Sequence, residues 1–175
     1  MLNLLKIKFL KHIYKNELDK LILSKDNISF NKIKNISIIL DGRLEVKEAY
    51  FYRLAESFKV QKKNVKILTF FQVGKKLESS ILKKSYTQKD IGTFGSFSEV
   101  LESFCDSKCD VLINYFDKND IYLKIVSLRC DKQISVGFNS VEHELNDLIV
   151  DAPIKKKNIF EDEVNKYLKI IFKFH

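Results

Sequence analysis

Residues 110–138, DVLINYFDKNDIYLKIVSLRCDKQISVGF, decide the fold. VLINYF at 111–116 is a short apolar run rich in β-formers between two aspartates, the pattern of a strand covered on both faces. Asp117 then stands as an N-cap with Asp120 three residues on, an acidic first turn that suits the positive end of a helix dipole. In the helix that follows, Lys124, Ser127 and Asp131 share one narrow polar side, and Ile121, Tyr122, Ile125, Val126 and Leu128 fill the rest of the circumference. ISVGF at 134–138 is a second apolar run. A covered helix between two buried strands is a βαβ crossover, which joins parallel strands.

The same alternation extends in both directions. ISIIL at 36–40 reads as a first strand ending in Asp41-Gly42. A helix over 45–60 follows, with Phe51, Leu54, Ala55 and Phe58 inward, and VKILTFF at 65–71 closes that unit. Residues 72–95 carry little regular signal: GKKLESSILKKS fits either a short helix or an irregular arm, and SYTQKDIGTFG reads as loop. Ser96 and Glu99 have capping-box spacing ahead of a helix whose Phe97, Val100, Leu101, Phe104 and Cys105 form one face. DLIVDA at 147–152 is a fifth strand, and a helix from Asn158 turns Phe160, Val164, Tyr167, Leu168 and Ile171 inward. The expected fold is α/β: a three-layer, Rossmann-like open sheet of about five mostly parallel strands, in the order 2-1-3-4-5 or 3-2-1-4-5.

With 175 residues, 45 % of them apolar, the chain suits one core. The expected division is a basic N-terminal helical arm over 1–34 and a single α/β domain over 35–175. The arm's helix, about 3–24, sets Leu2, Leu5, Phe9 and Ile13 on one line and Lys8, Lys11 and Lys15 on another, while its apolar stripe drifts towards Leu10, Tyr14, Leu18 and Leu21. Residues 1–34 hold eight lysines against Glu17, Asp19 and Asp26, which gives this fifth of the chain +5 of the net +8. Among 31 basic residues only Arg43, Arg53 and Arg129 are arginine, so the charge suits a diffuse electrostatic surface better than a bidentate reader of phosphates or bases.

No apolar run reaches the roughly 18 residues that span a bilayer, and lysines interrupt the N-terminus where a signal peptide needs an uncharged core. Cys105, Cys109 and Cys130 have neither disulfide-framework nor CxxC spacing, which fits reduced thiols in a cytoplasm. LDGRLEVKE after the first strand contains neither G-x-G-x-x-G nor G-x-x-x-x-G-K-[ST], which disfavours dinucleotide and P-loop binding. His12, His143 and His175 lack zinc-ligand spacing. No metal or cofactor is expected.

The carboxyl ends of the strands present Asp41, Gly42, Asn114, Asp117 and Asn139, the place where an open parallel sheet holds a ligand. Asx residues there also cap turns by bonding local backbone, so both readings stand. GTFGSFS at 92–98 places two glycines before a helix and is a weaker candidate for anion binding. His143 lies beside Glu142 and Glu144 in the loop after the fourth strand, a weak candidate general base without a nucleophile elbow or an oxyanion donor. The favoured function is a non-catalytic binding domain whose basic N-terminal helix, through Lys8, Lys11 and Lys15, contacts an anionic partner, either RNA or the ribosome or a membrane surface. The alternative is a small enzyme or small-molecule-binding protein that uses the strand-end rim.

KDIGTFGSF at 89–97, CDVLINYFDKNDIYLKIVSL at 109–128, ISVGF, NDLIVD at 146–151 and the closing FEDEVNKYLKII together resemble an uncharacterised family of small proteins from Bacteroidota-type bacteria. The resemblance spans most of the chain. It implies a bacterial, cytoplasmic protein and transfers no catalytic residue; a peripheral place at the membrane is left open by the basic N-terminal helix alone.

Overall fold

The apolar runs become the strands of one sheet. The computed structural model describes residues 2–23, 30, 32–73 and 84–173. The segment 74–83, read as a short helix or an arm, lies outside the described residues, as do 24–29 of the basic arm. The elements in chain order are α1 (Leu2–Leu23), β1 (Ile36–Asp41), α2 (Glu48–Glu56), β2 (Val65–Phe70), β3 (Ser85–Tyr86), α3 (Glu99–Cys105), β4 (Cys109–Tyr115), α4 (Ile121–Arg129), β5 (Lys132–Phe138), β6 (Leu148–Val150) and α5 (Lys157–Ile171).

Among the described residues six strands form one parallel sheet in the order β3-β2-β1-β4-β5-β6. The five expected strands take the order 2-1-3-4-5. The sixth, Ser85–Tyr86, adds at the edge by pairing with Thr69 and Phe70. Strand order reverses between β1 and β4, whose carboxyl ends therefore flank the crevice where such sheets hold ligands.

Side chains alternate across the sheet. Ile36, Ile38 and Leu40 of β1 and Val111, Ile113 and Tyr115 of β4 pack with α2 and α5 on one face. Ile39, Leu112, Leu68 and Phe70 pack with α1, α3 and α4 on the other. On the first face Tyr115 collects edge-on rings from Tyr50, Phe51, Phe138 and Phe160.

The polar side expected on α4 is absent: Ser127 is fully buried and Lys124 is largely covered. A helix apolar around nearly its whole circumference needs cover all round, and α1 supplies it on the side that would otherwise face water. Leu10, Tyr14 and Leu18 of α1 are buried against this face, each contributing roughly 1.5–3 kcal/mol. The other apolar line of α1 is turned away, because one helix side can pack on α4 and the second cannot reach it. Leu5 and Phe9 are exposed and Ile13 is half-buried.

Local starts also differ from expectation. α4 is capped by Asp120, whose carboxylate accepts from Tyr122 N at 3.1 Å, and not by Asp117. α3 starts after Ser98, without a side-chain cap bond. Ser96 belongs instead to a turn in which Gly92 N donates to Ser96 O at 2.7 Å and Ile91 bridges Phe97. The helix after β1 is shorter than 45–60 at both ends: Glu45, at φ 51, closes a 3-10 turn over Gly42–Leu44 and Lys47 becomes the N-cap, while Ser57 is the C-cap and Lys59 follows at φ 60.

Candidate functional site

Three places merit a chemical reading: the outward face of α1, the groove between α1 and the turn after β5, and the carboxyl rim of the sheet. Lys8, Lys11 and Lys15 are exposed on α1 at i, i+3 and i+7, and none has an ion-pair partner among the described residues. Other cations nearby are engaged internally. Lys6 donates to Gln88 O at 2.6 Å and sits over the Tyr122 ring, and Arg129 grips Glu17. Leu4, Leu5 and Phe9 share the outward side of the helix, and Phe94, from the glycine turn ahead of α3, meets the Phe9 ring at 5.7 Å.

The groove of about 620 Å³ beside this face is lined by Lys11, Tyr14, Lys15, Asp19, Lys124, Glu142 and Glu144, among others. At its floor Tyr14 Oη donates to Glu142 Oε2 at 2.9 Å and Lys124 Nζ donates to the same oxygen at 2.5 Å. Burial raises the Glu142 carboxyl, but the bonds from Lys124 and Tyr14 outweigh it and hold the group below its ordinary value. Burial and the same bond push the Tyr14 hydroxyl well above the usual phenol range. Glu142 is thus a fixed anion and Tyr14 a fixed donor: the pair braces α1 and lacks the poise of an acid–base catalyst.

At the rim, the switch crevice is filled by the protein itself. Asp41, at the end of β1 and 1 % exposed, accepts from Arg43 Nε at 2.7 and 2.9 Å. Arg43 Nη2 reaches Asp41 at 2.6 Å and Asp120 at 3.2 Å, and the guanidinium stands near the Phe70 ring. The hydrogen bond to Asp41, against the cost of burial, raises the Arg43 pKa further and fixes its charge. Gly42 has no room for a side chain, since a Cβ would come within 2.7 Å of Phe71 and of the Phe70 carbonyl.

Asn114 is buried beneath this rim and donates to Asn146 Oδ1 at 2.8 Å. The Asn146 amide lies over Gly137, where a Cβ would meet it at 2.5 Å. Asp117, Asn139, Ser140 and Asp151 do come together, in a depression of about 520 Å³ with Pro153 and Lys155 on its wall. Asn139 Nδ2 donates to Asp151 at 3.2 Å, and the exposed His143 ring is held by Asn139 Oδ1 at 2.7 Å. The rim residues expected to bind one ligand therefore divide into a filled crevice, a buried amide pair and an open depression. The 92–98 turn is a poor anion cradle, because the N–H groups of Gly92, Gly95 and Ser98 already donate to the carbonyls of Ser96, Gly92 and Asp90.

A family model of unknown function, DUF6913, matches residues 6–171. The chain belongs to this family. No curated protein and no solved structure matches it. The match takes α1 of this DUF6913 protein in with the sheet, from Lys6 onward. Among the described residues no three His, Cys, Asp or Glu side chains are grouped to hold a metal, and no helix is long and apolar enough to cross a membrane.

Sequence reasoning missed the Arg43–Asp120 bridge, the Tyr14–Glu142–Lys124 brace and the exposure of Leu4, Leu5 and Phe94. One signal was present: a phenylalanine between two glycines in an expected loop has no core to enter.

Proposed function

We propose that this chain is a non-catalytic binding module that engages an anionic partner through the outward face of α1. The observation that carries this reading is the contrast among cations. Arg43, Lys6, Lys124 and Arg129 are bound to partners within the protein, whereas Lys8, Lys11 and Lys15 are exposed along a helix whose other side, at Leu10, Tyr14 and Leu18, is buried. Three ammonium groups on one helix face attract phosphate-bearing surfaces by charge and counterion release. Replacing all three by glutamine leaves the packed face of α1 untouched. Retention of the protein on poly-uridine or on phosphatidylglycerol vesicles at low salt is expected to drop sharply in this variant. Equal retention of variant and parent would overturn the reading.

A second reading places a small molecule in the depression formed by Asp117, Asn139, Ser140 and Asp151. It is favoured by one observation: Asp117 Oδ1 is buried with no partner among the described residues, an acceptor free for a hydroxyl or amine. A thermal-shift series of polyols and amines, with Asp117→Ala as the control, tests it.

A further inference from the structure

We infer that the anionic partner is a lipid bilayer, contacted by α1 and Phe94 together. The inference rests on the reading of α1 as the binding face, and the exposed apolar groups are what extend it. Leu4 is 68 % exposed, Leu5 57 % and Phe94 79 %, with Phe9 beside Phe94. Two segments far apart in sequence thus build one apolar ridge next to Lys8 and Lys11. Arg129 holds them in that relation, since it binds Glu17 of α1 and the carbonyl of Gly95, next to Phe94.

The mixture of side chains selects the partner. Aromatic rings beside lysines suit stacked bases, but exposed leucines add nothing to a nucleic-acid contact. The headgroup boundary of an anionic bilayer takes both, with aliphatic groups towards the acyl chains and ammonium groups on the phosphates. A second copy of the chain is a poor occupant, because it would set Lys8, Lys11 and Lys15 against their own like charges. Asp19, one turn beyond Lys15, and Glu142 and Glu144 of the turn after β5 line the groove beside Lys11 and Lys15, so the contact centres on the amino-terminal half of the helix.

Co-sedimentation of the full chain with vesicles separates the possibilities. Binding is expected to vesicles of phosphatidylcholine mixed with phosphatidylglycerol and not to phosphatidylcholine alone. Leu5→Ser with Phe94→Ser should weaken it about tenfold or more, and glutamine at Lys8, Lys11 and Lys15 about a hundredfold. All five positions are exposed, so circular dichroism should match the parent in each variant. Binding of poly-uridine without binding of anionic vesicles would overturn the lipid inference and leave the α1 reading standing. Failure to bind either would overturn both. A concentration-dependent dimer abolished by Phe94→Ser would make the ridge a self-association surface and overturn the inference.

Discussion

Arg129 holds Glu17 in a two-pronged ion pair, Nε to Oε2 at 2.8 Å and Nη2 to Oε1 at 2.7 Å, and so ties the end of α4 to the middle of α1. The guanidinium also lies 4.6 Å from the Phe97 ring centre, which places α1, α4 and the 92–97 turn on one side chain. Arginine is the residue for such a site, because its planar fork bonds a carboxylate and stacks on a ring together. Arg129→Gln should destabilise the fold by about 2 kcal/mol in urea unfolding, and Arg129→Lys should recover less than half of that. A loss below about 0.5 kcal/mol would mean that α1 is held by its apolar contacts alone.

Removing Arg43 should be more damaging. Asp41 would be left charged and buried without its partner, a change that costs about 3–5 kcal/mol. Arg43→Ala should lower the unfolding midpoint accordingly, and the double variant Arg43→Ala with Asp41→Asn should regain part of the loss. No recovery in the double variant would show that Arg43 acts through its packing on Phe70 and not through charge.

The Glu142 brace makes stability depend on pH. The folded carboxyl sits below its ordinary value, so its contribution is fully present above the normal carboxylate range and is lost as pH falls through the folded value. Glu142→Gln should cost about 1 kcal/mol at neutral pH, discounted for its partial exposure. The gap between parent and variant should close as pH drops below about 4. A gap that persists unchanged as the pH falls below that value, in protein that is still folded, would contradict the assignment.

Gly137 should tolerate no side chain. A Cβ there would meet the Asn146 amide at 2.5 Å and break its bond to Asn114, the bond that joins two buried amides whose Asn114 Oδ1 and Asn146 Nδ2 already lack partners among the described residues. Gly137→Ala should cost about 1–3 kcal/mol. An alanine variant as stable as the parent would show that Asn146 moves aside freely.

The parallel sheet was legible because β1, β2, β4 and β5 are continuous apolar runs, a pattern that sequence preserves wherever a strand is covered on both faces. Ser85–Tyr86 was not, since two residues carry no period, and the strand exists only by its pairing with β2. The start of α4 was misplaced by one turn because Asp117 and Asp120 are both competent caps, and the choice falls to packing at Ile121. On α1 two apolar lines compete, and which of them is buried depends on α4, a partner more than a hundred residues away in sequence. The candidate surface was half visible for the same reason: Lys8, Lys11 and Lys15 follow from helical spacing, whereas the exposure of Leu5 and the meeting of Phe9 with Phe94 follow from tertiary packing.

The chain contains no tryptophan, so Phe94→Trp introduces a single indole at the tip of the proposed contact. Its emission should shift to the blue when phosphatidylglycerol vesicles are added, and the shift should reverse as salt screens the lysines. An emission maximum that does not move with anionic vesicles, in a protein shown by circular dichroism to be folded, would contradict the claim that this face is the one that binds lipid.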